Sequence, residues 1–254
     1  MADLLARQID GITALVTGAN RGLGKEFTQA LLDAGAAKVY AAARDPSTIE
    51  VTDTRVVPVR LDITNPGDIA AAACDCTDVS LVINNAGAML QTPFLSAPDM
   101  SAARTEMETN YFGTLAMARA FAPVLAAAGG SALVNILSVA SWLASPFNAS
   151  YCASKSAEWA LTNALRVELH DQGTLVVGVH AGWIDTDMAA TVEDSKISPR
   201  EVAAQTLDAI ENGRPEVLTD DRTRQVKDSL PTDQDSLYPD IQRRWDAGES
   251  PWKG

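Results

Sequence analysis

A tyrosine and a lysine four residues apart, Tyr151 and Lys155, are well placed in this chain to move a proton. On a helix, residues at this spacing share one face about a turn apart. A free phenol has a pKa of ~10 and is a poor base at neutral pH. A neighbouring ammonium favours the phenolate, lowers that pKa and lets the tyrosine exchange a proton with a substrate oxygen. Upstream, Ser138 closes a short apolar run, and its hydroxyl can hydrogen-bond a carbonyl oxygen as that oxygen gains charge. Removing a donor of this kind typically costs ~2.7–4 kcal/mol of transition-state stabilisation. Ser141 and Ser145, in the loop that follows, are rivals for the role. Alone, the pair would be no more than a tyrosine and a lysine on an amphipathic helix, so its meaning depends on what accompanies it.

What accompanies it is a glycine-rich turn, Thr17-Gly18-Ala19-Asn20-Arg21-Gly22-Leu23-Gly24, set between an apolar run and an amphipathic stretch. Glycines there allow a tight turn and let backbone approach a pyrophosphate, whose charge faces the N-terminus of the following helix. About twenty residues further on, NAD enzymes place an acid on the ribose hydroxyls and NADP enzymes a base near the 2′-phosphate. Here Ala42-Ala43-Arg44-Asp45 stands at that point. Ala43 has no carboxylate, Arg44 follows it, and Arg21 could supply a second charge from the glycine loop. Asp45 is a rival acid further along the turn, and a solvated surface role is open to either arginine taken singly. The balance of charges predicts NADP(H).

These groups need elements to hold them. Short β-branched runs alternate with longer alanine-rich stretches, the pattern of a parallel sheet with helices on both faces. Strands are predicted at Ile12–Thr17, Lys38–Ala42, Arg55–Leu61, Leu81–Asn84, Ala132–Leu137, Leu175–His180 and Glu216–Leu218. Helices are predicted at Leu23–Ala34, Pro66–Ala73, Ser101–Ala127, Tyr151–His170 and Pro199–Glu211. Pro58, inside the third strand, cannot donate to a ladder and belongs on a sheet edge. A doubly wound order of 3-2-1-4-5-6 puts that strand on an edge. The expectation is therefore an α/β, doubly wound Rossmann fold of about seven parallel strands. With 46% hydrophobic residues and no polar linker, residues 1–254 read as a single domain. From Asp220 the composition turns polar, and 220–254 reads as an irregular tail over the domain or a neighbouring subunit, or as disorder.

The ordered motifs resemble the short-chain dehydrogenase/reductase family. Its first fingerprint is Thr-Gly-x-x-x-Gly-x-Gly, and Asn84-Asn85-Ala86-Gly87 matches the second. Asn110, Ser138 and Tyr151-x-x-x-Lys155 follow in family order, so the likeness spans about Gly11 to Ile210. It implies a catalytic set of Asn110, Ser138, Tyr151 and Lys155, with Asn110 holding a water that links Lys155 to solvent. It implies a cofactor site made by Gly18, Asn20, Arg21, Gly22, Leu23 and Gly24, then Arg44, Asp62 and Ile63, then Asn84, Ala86 and Gly87. Tyr151 and Lys155 complete that site with Gly182, Ile184 and Thr186. In it Asp62 would meet the adenine amino group, unless it merely starts a turn. Asn84 would line a ribose, unless it ties two strands together. The family's usual Pro-Gly after the sixth strand is Ala181-Gly182 here, which puts the shape of that loop in question. His180 reads as a strand-end residue.

The residues flanking the catalytic positions, Leu90, Trp142, Leu143, Phe147, Trp183 and Met188, are apolar, and about half are expected to line a substrate pocket. The resulting expectation is an NADPH-dependent carbonyl reductase or alcohol dehydrogenase for a small, largely apolar or aromatic ketone or aldehyde. The alternative from another class is a non-catalytic NADP-binding sensor or scaffold. A homodimer or homotetramer built on Ser101–Ala127 and Tyr151–His170 is predicted from small residues such as Ala153, Ala160 and Ala164. A net charge of -13 disfavours nucleic acid and anionic membrane as partners. The first ten residues carry Asp3, Arg7 and Asp10, so no signal peptide is read there. Three cysteines read as reduced thiols of a cytoplasmic protein, and Cys74-x-Cys76 lacks the further ligands that a metal site needs.

Overall fold

The computed structural model describes residues 7–252; Asp3 and the outermost ends of the predicted domain lie outside them. Seven strands form one parallel sheet: β1 (Thr13–Thr17), β2 (Lys38–Ala43), β3 (Val56–Arg60), β4 (Leu81–Asn84), β5 (Ala132–Ile136), β6 (Leu175–His180) and β7 (Glu216–Leu218). Their order is β3-β2-β1-β4-β5-β6-β7. β4, β5 and β6 are buried at every residue, as strands covered on both faces must be, whereas β3 pairs only with β2 and carries Pro58 on the edge.

Strand alternation divides the core in two. Val16 and Val39 point to the face covered by α1 (Gly22–Asp33) and α6 (Pro199–Glu211), against Phe27, Leu31 and Ile210. Leu15, Val82 and Leu133 point to the other face, against Met117, Phe121 and Leu165. That face is covered by α2 (Pro66–Asp75), α4 (Thr114–Ala128) and α5 (Ala149–Glu168). The chain runs outward from β1 through β2 to β3, then crosses back to β4 beside β1. A crevice therefore opens at the carboxyl ends of β1 and β4, where doubly wound sheets bind ligands.

Two segments differ from the sequence reading. The helix predicted as continuous over Ser101–Ala127 is α3 (Ser101–Glu106), a π-helical turn over Met107–Gly113, and then α4. Gly113 backs onto Ile63 so closely that a Cβ there would sit 2.9 Å from Ile63 Cδ1. The wide turn holds Asn110, and such turns gather at functional sites. The polar tail, predicted irregular, is helical: α7 (Asp221–Ser229), α8 (Asp233–Ser236) and α9 (Tyr238–Asp246). Asp220 starts it with a reciprocal cap, its carboxylate accepting from Thr223 N at 2.8 Å while its own N–H donates to Thr223 Oγ1 at 3.2 Å. The other carboxylate oxygen accepts from Gly182 N at 2.7 Å and so ties the tail to the loop after β6.

Candidate active site

The first wall of the crevice is the glycine turn. Gly18 and Gly22 have φ values of +65° and +51°, which favour glycine, and a Cβ on Gly24 would collide with Gly18 O. Thr17 Oγ1 accepts from Asn85 N at 2.9 Å and Ala86 N at 3.0 Å. The Asn85 side-chain amide returns the tie by donating to Thr17 O at 2.9 Å. Asn85 was not singled out from sequence, although the same Asn-Asn pair contained it. Of the two roles open to Asn84, the structure shows the strand tie: it lies buried and donates from Nδ2 to Asn135 Oδ1 at 2.9 Å, joining β4 to β5. Period two explains why Asn84 and Asn85 differ: adjacent residues leave a strand on opposite sides.

No acid occupies the first turn of α1 and no side chain caps it, so its leading N–H groups face the crevice without a protein acceptor from a cap. That is the donor set a pyrophosphate needs, and it fits a dinucleotide. Asn20, Arg21, Gly22 and Leu23 line the crevice on this side, and Arg44, Asp62 and Ile63 line it beyond the end of β2. Arg44 is exposed and forms no ion pair among the described residues, whereas Arg21 reaches Asp187 at 3.5 Å, with both side chains largely in solvent. The rival acid Asp45 also lines the crevice; its Oδ1 accepts from Ser47 Oγ at 2.7 Å and Ser47 N at 3.0 Å, and these bonds hold its carboxyl below the usual range. Asp62 accepts from Thr64 N and Oγ1 at 2.9 and 2.7 Å, so it shapes a turn while lining the crevice. The cap of α2 is Asn65.

The second wall carries the proton-handling groups. Tyr151 is half-buried on the first turns of α5 and lines the crevice together with Ser138, with Lys155 Nζ 5.9 Å from its ring centroid. Burial raises the Tyr151 pKa, while Lys155 and Ser138 pull it back; the outcome is above the ordinary value. Ser138 Oγ also accepts from Ala140 N at 3.1 Å. Ser141 is ruled out as the equivalent group because its hydroxyl is buried behind Ser138, accepting from Ser138 N. Lys155, 5% exposed, donates to Ile136 O at 2.8 Å and to Glu158 Oε2 at 2.6 Å. Burial alone would lower its pKa, but Glu158 and Tyr151 outweigh that and raise it.

Asn110 is fully buried and ties the loop after β4 to α5. Its Oδ1 accepts from Ala88 N at 2.8 Å, and its Nδ2 donates to Ala88 O at 2.9 Å and Ser154 Oγ at 2.8 Å. It thereby locks the strand-end loop holding Ala86 and Gly87 to α5. His180 lies beneath Ser138, its Nδ1 3.2 Å from Ser138 O, and burial drives its pKa down to about 3, so the ring is neutral in working buffers.

Leu90, Leu143, Phe147, Trp183 and Met188 line the far end of the crevice, whose volume is about 1380 Å³. Gly182, Ile184 and Thr186 border it too, from the loop after β6. Trp142 does not: its ring stacks on His180 with centroids 3.8 Å apart, behind the site. Sequence reasoning missed the tail. Trp252, 8% exposed, packs edge-on to Trp183 at 5.3 Å and lines the crevice with Ile241, Arg222 and Arg244. The isolated aromatics of the polar stretch were the available sign.

A parallel sheet crossing at this point, a glycine turn at the crossing and a serine–tyrosine–lysine set across from it define a Rossmann-type oxidoreductase. Residues 12–197 match the family model described as short chain dehydrogenase, and the chain belongs to the short-chain dehydrogenase/reductase family. A short chain dehydrogenase from Burkholderia cenocepacia J2315, solved in complex with NADP, is 43% identical with a TM-score of 0.88, covering 92% of this chain and 99% of its own. The NADPH-bound carbonyl reductase from chicken fatty liver is 27% identical with a TM-score of 0.72, covering 83% of this chain and 99% of its own. The NADP-dependent 3-hydroxy acid dehydrogenase of Schizosaccharomyces pombe is 30% identical over 194 residues, 72% of this chain and 75% of the relative.

Proposed function

We propose that the protein uses NADPH to reduce a small, largely apolar or aromatic ketone or aldehyde to the alcohol, or runs the reverse oxidation. The observation that carries this reading is that Ser138, Tyr151 and Lys155 line one crevice together with Leu90, Phe147, Trp183 and Trp252. NADP in the Burkholderia relative and NADPH in the chicken reductase support the cofactor, as does the exposed Arg44, which lines the crevice beyond β2.

Bound along α1 and the glycine turn, the nicotinamide nucleotide supplies the hydride. Tyr151 gives its proton to the carbonyl oxygen, and Ser138 donates a hydrogen bond to that oxygen as charge develops. Lys155 stabilises the phenolate left on Tyr151, and Asn110 fixes the loop that frames the site. Of the charged groups near the apolar end, Arg222 is paired with Asp194 at 3.3 Å. We also propose a homo-oligomer, because Ala153, Ala160, Ala164 and Val167 form an exposed stripe on α5. Free thiols at Cys74, Cys76 and Cys152 accord with a reducing, cytoplasmic compartment.

Turnover of NADPH with a panel of aryl and alkyl ketones tests the reading. Tyr151→Phe keeps the ring and removes the proton, so reduction should fall by at least ~100-fold while NADPH affinity holds. NADPH binding without turnover of any ketone would favour a sensor or scaffold instead.

A further inference from the structure

Glu158 has no place in the chemistry so far, yet it is one of the most deeply buried charged side chains here. It is 1% exposed, one turn beyond Lys155 on the inner face of α5. Its Oε2 accepts from Lys155 Nζ at 2.6 Å and its Oε1 from Thr114 Oγ1 at 3.4 Å, across to the first residue of α4. A carboxylate is costly to bury unless it compensates another charge. Lys155 spends two of its three N–H groups on Ile136 O and Glu158, leaving one for the crevice. The charge nearest the tyrosine is therefore half of an ion pair and not a bare cation.

We propose that Glu158 is a positioning residue that balances the charge of Lys155 and keeps the proton on Tyr151 up through neutral pH, so that the site stands ready to protonate a carbonyl. An uncompensated ammonium beside a phenol draws the proton off; a carboxylate on the ammonium's far side weakens that pull. The direction agrees with the electrostatics: burial raises the Tyr151 pKa most, Lys155 lowers it and Glu158 adds to the rise, while burial pushes the Glu158 carboxyl itself up against the opposing pull of Lys155.

The other groups around the pair leave this role to Glu158. From α3, Glu106 is buried, with its Oε1 accepting from Leu90 N at 2.6 Å in the loop before that helix and its Oε2 bonded to none of the described residues. From β6, His180 is neutral, and from α5 itself the Cys152 thiol is pushed up to about 11 by burial. The π-helical turn and the start of α4 present neutral Asn110 and Thr114. Lys227 of α7 lies over the Trp142 ring, 5.5 Å from its centroid.

The inference rests on Tyr151 as proton donor, and two measurements separate the two claims. The first is a phenolate absorbance titration of the protein without cofactor, Tyr151's share being isolated by subtracting the Tyr151→Phe protein. Unsubstituted Tyr151 should ionise at or above the free-phenol value of ~10. Glu158→Gln should bring that ionisation down by about one pH unit or more, and Glu158→Asp should stay near the unsubstituted position. The second is the pH profile of kcat/KM for reduction, whose alkaline limb should move the same way in the same variants. Unsubstituted Tyr151 ionising near neutral pH would overturn the proposal even if Glu158→Gln failed to fold. So would a Glu158→Gln titration that superimposes on the original, or a Glu158→Asp shift as large as that of Glu158→Gln. The titration needs no substrate, so a protein inactive toward every ketone would lose the reductase reading while Glu158 was still decided.

Discussion

At the scale of single residues, the sharpest difference between two cofactors lies in Arg44. It stands exposed where the adenosine ribose of a dinucleotide on α1 would lie, and the acid beside it, Asp45, has one carboxylate oxygen tied to Ser47. Arg21 leans the other way, toward Asp187, which makes Arg44 the principal base for a 2′-phosphate. A charge-assisted hydrogen bond contributes ~1.5–3 kcal/mol, so Arg44→Ala should reduce the preference for NADPH over NADH by ~10- to 150-fold in kcat/KM. Ala43→Asp added to it should go further, repelling the phosphate while offering the ribose a carboxylate. An unsubstituted protein that favours NADH would overturn the assignment. Because the pair is exposed, raised salt should weaken NADPH binding more than NADH binding.

At the scale of elements, the tail matters more than its composition promised. Its last helix and the strap beyond it bring Ile241, Arg244 and Trp252 to the apolar end of the crevice, with Phe147 5.0 Å from Trp245. Trp252→Ala should raise KM for an apolar ketone about tenfold, the worth of ~1.4 kcal/mol of lost contact, and leave NADPH affinity unchanged. An unaltered KM would mean that the strap does not wall the substrate. The strands and their order could be read from sequence because Val, Ile and Leu runs and Pro58 are local signals of covered and edge strands. The π-helical turn at Asn110 could not, since one extra residue in a turn hardly disturbs apolar periodicity. Likewise Tyr151, Lys155 and the glycine turn are set by spacing along one element. Glu158, Trp142 and Trp252 depend on which face of a neighbouring element they meet, and for that reason Trp142 packs on His180 and not in the crevice that its sequence neighbours line.

At the scale of the whole molecule, the proposed homo-oligomer would bury the exposed stripe on α5. Sedimentation velocity at micromolar concentration should give a dimer or larger assembly, and Ala160→Arg, which sets a charge on the stripe, should shift it toward monomer. A monomer before substitution would end that reading. The crossing of the sheet has a different consequence. One wall of the crevice, from Gly18 to Asp62, belongs to the half of the sheet built by β1, β2 and β3; the other, from Ala86 to Thr186, belongs to the half that begins at β4. A dinucleotide spanning both is a clamp across the fold, available only to the folded chain. At a hundred times its dissociation constant such a ligand adds ~2.7 kcal/mol to folding stability. The number of molecules that escape unfolding and proteolysis would then rise and fall with the nucleotide pool, making the abundance of the protein a record of the supply it consumes.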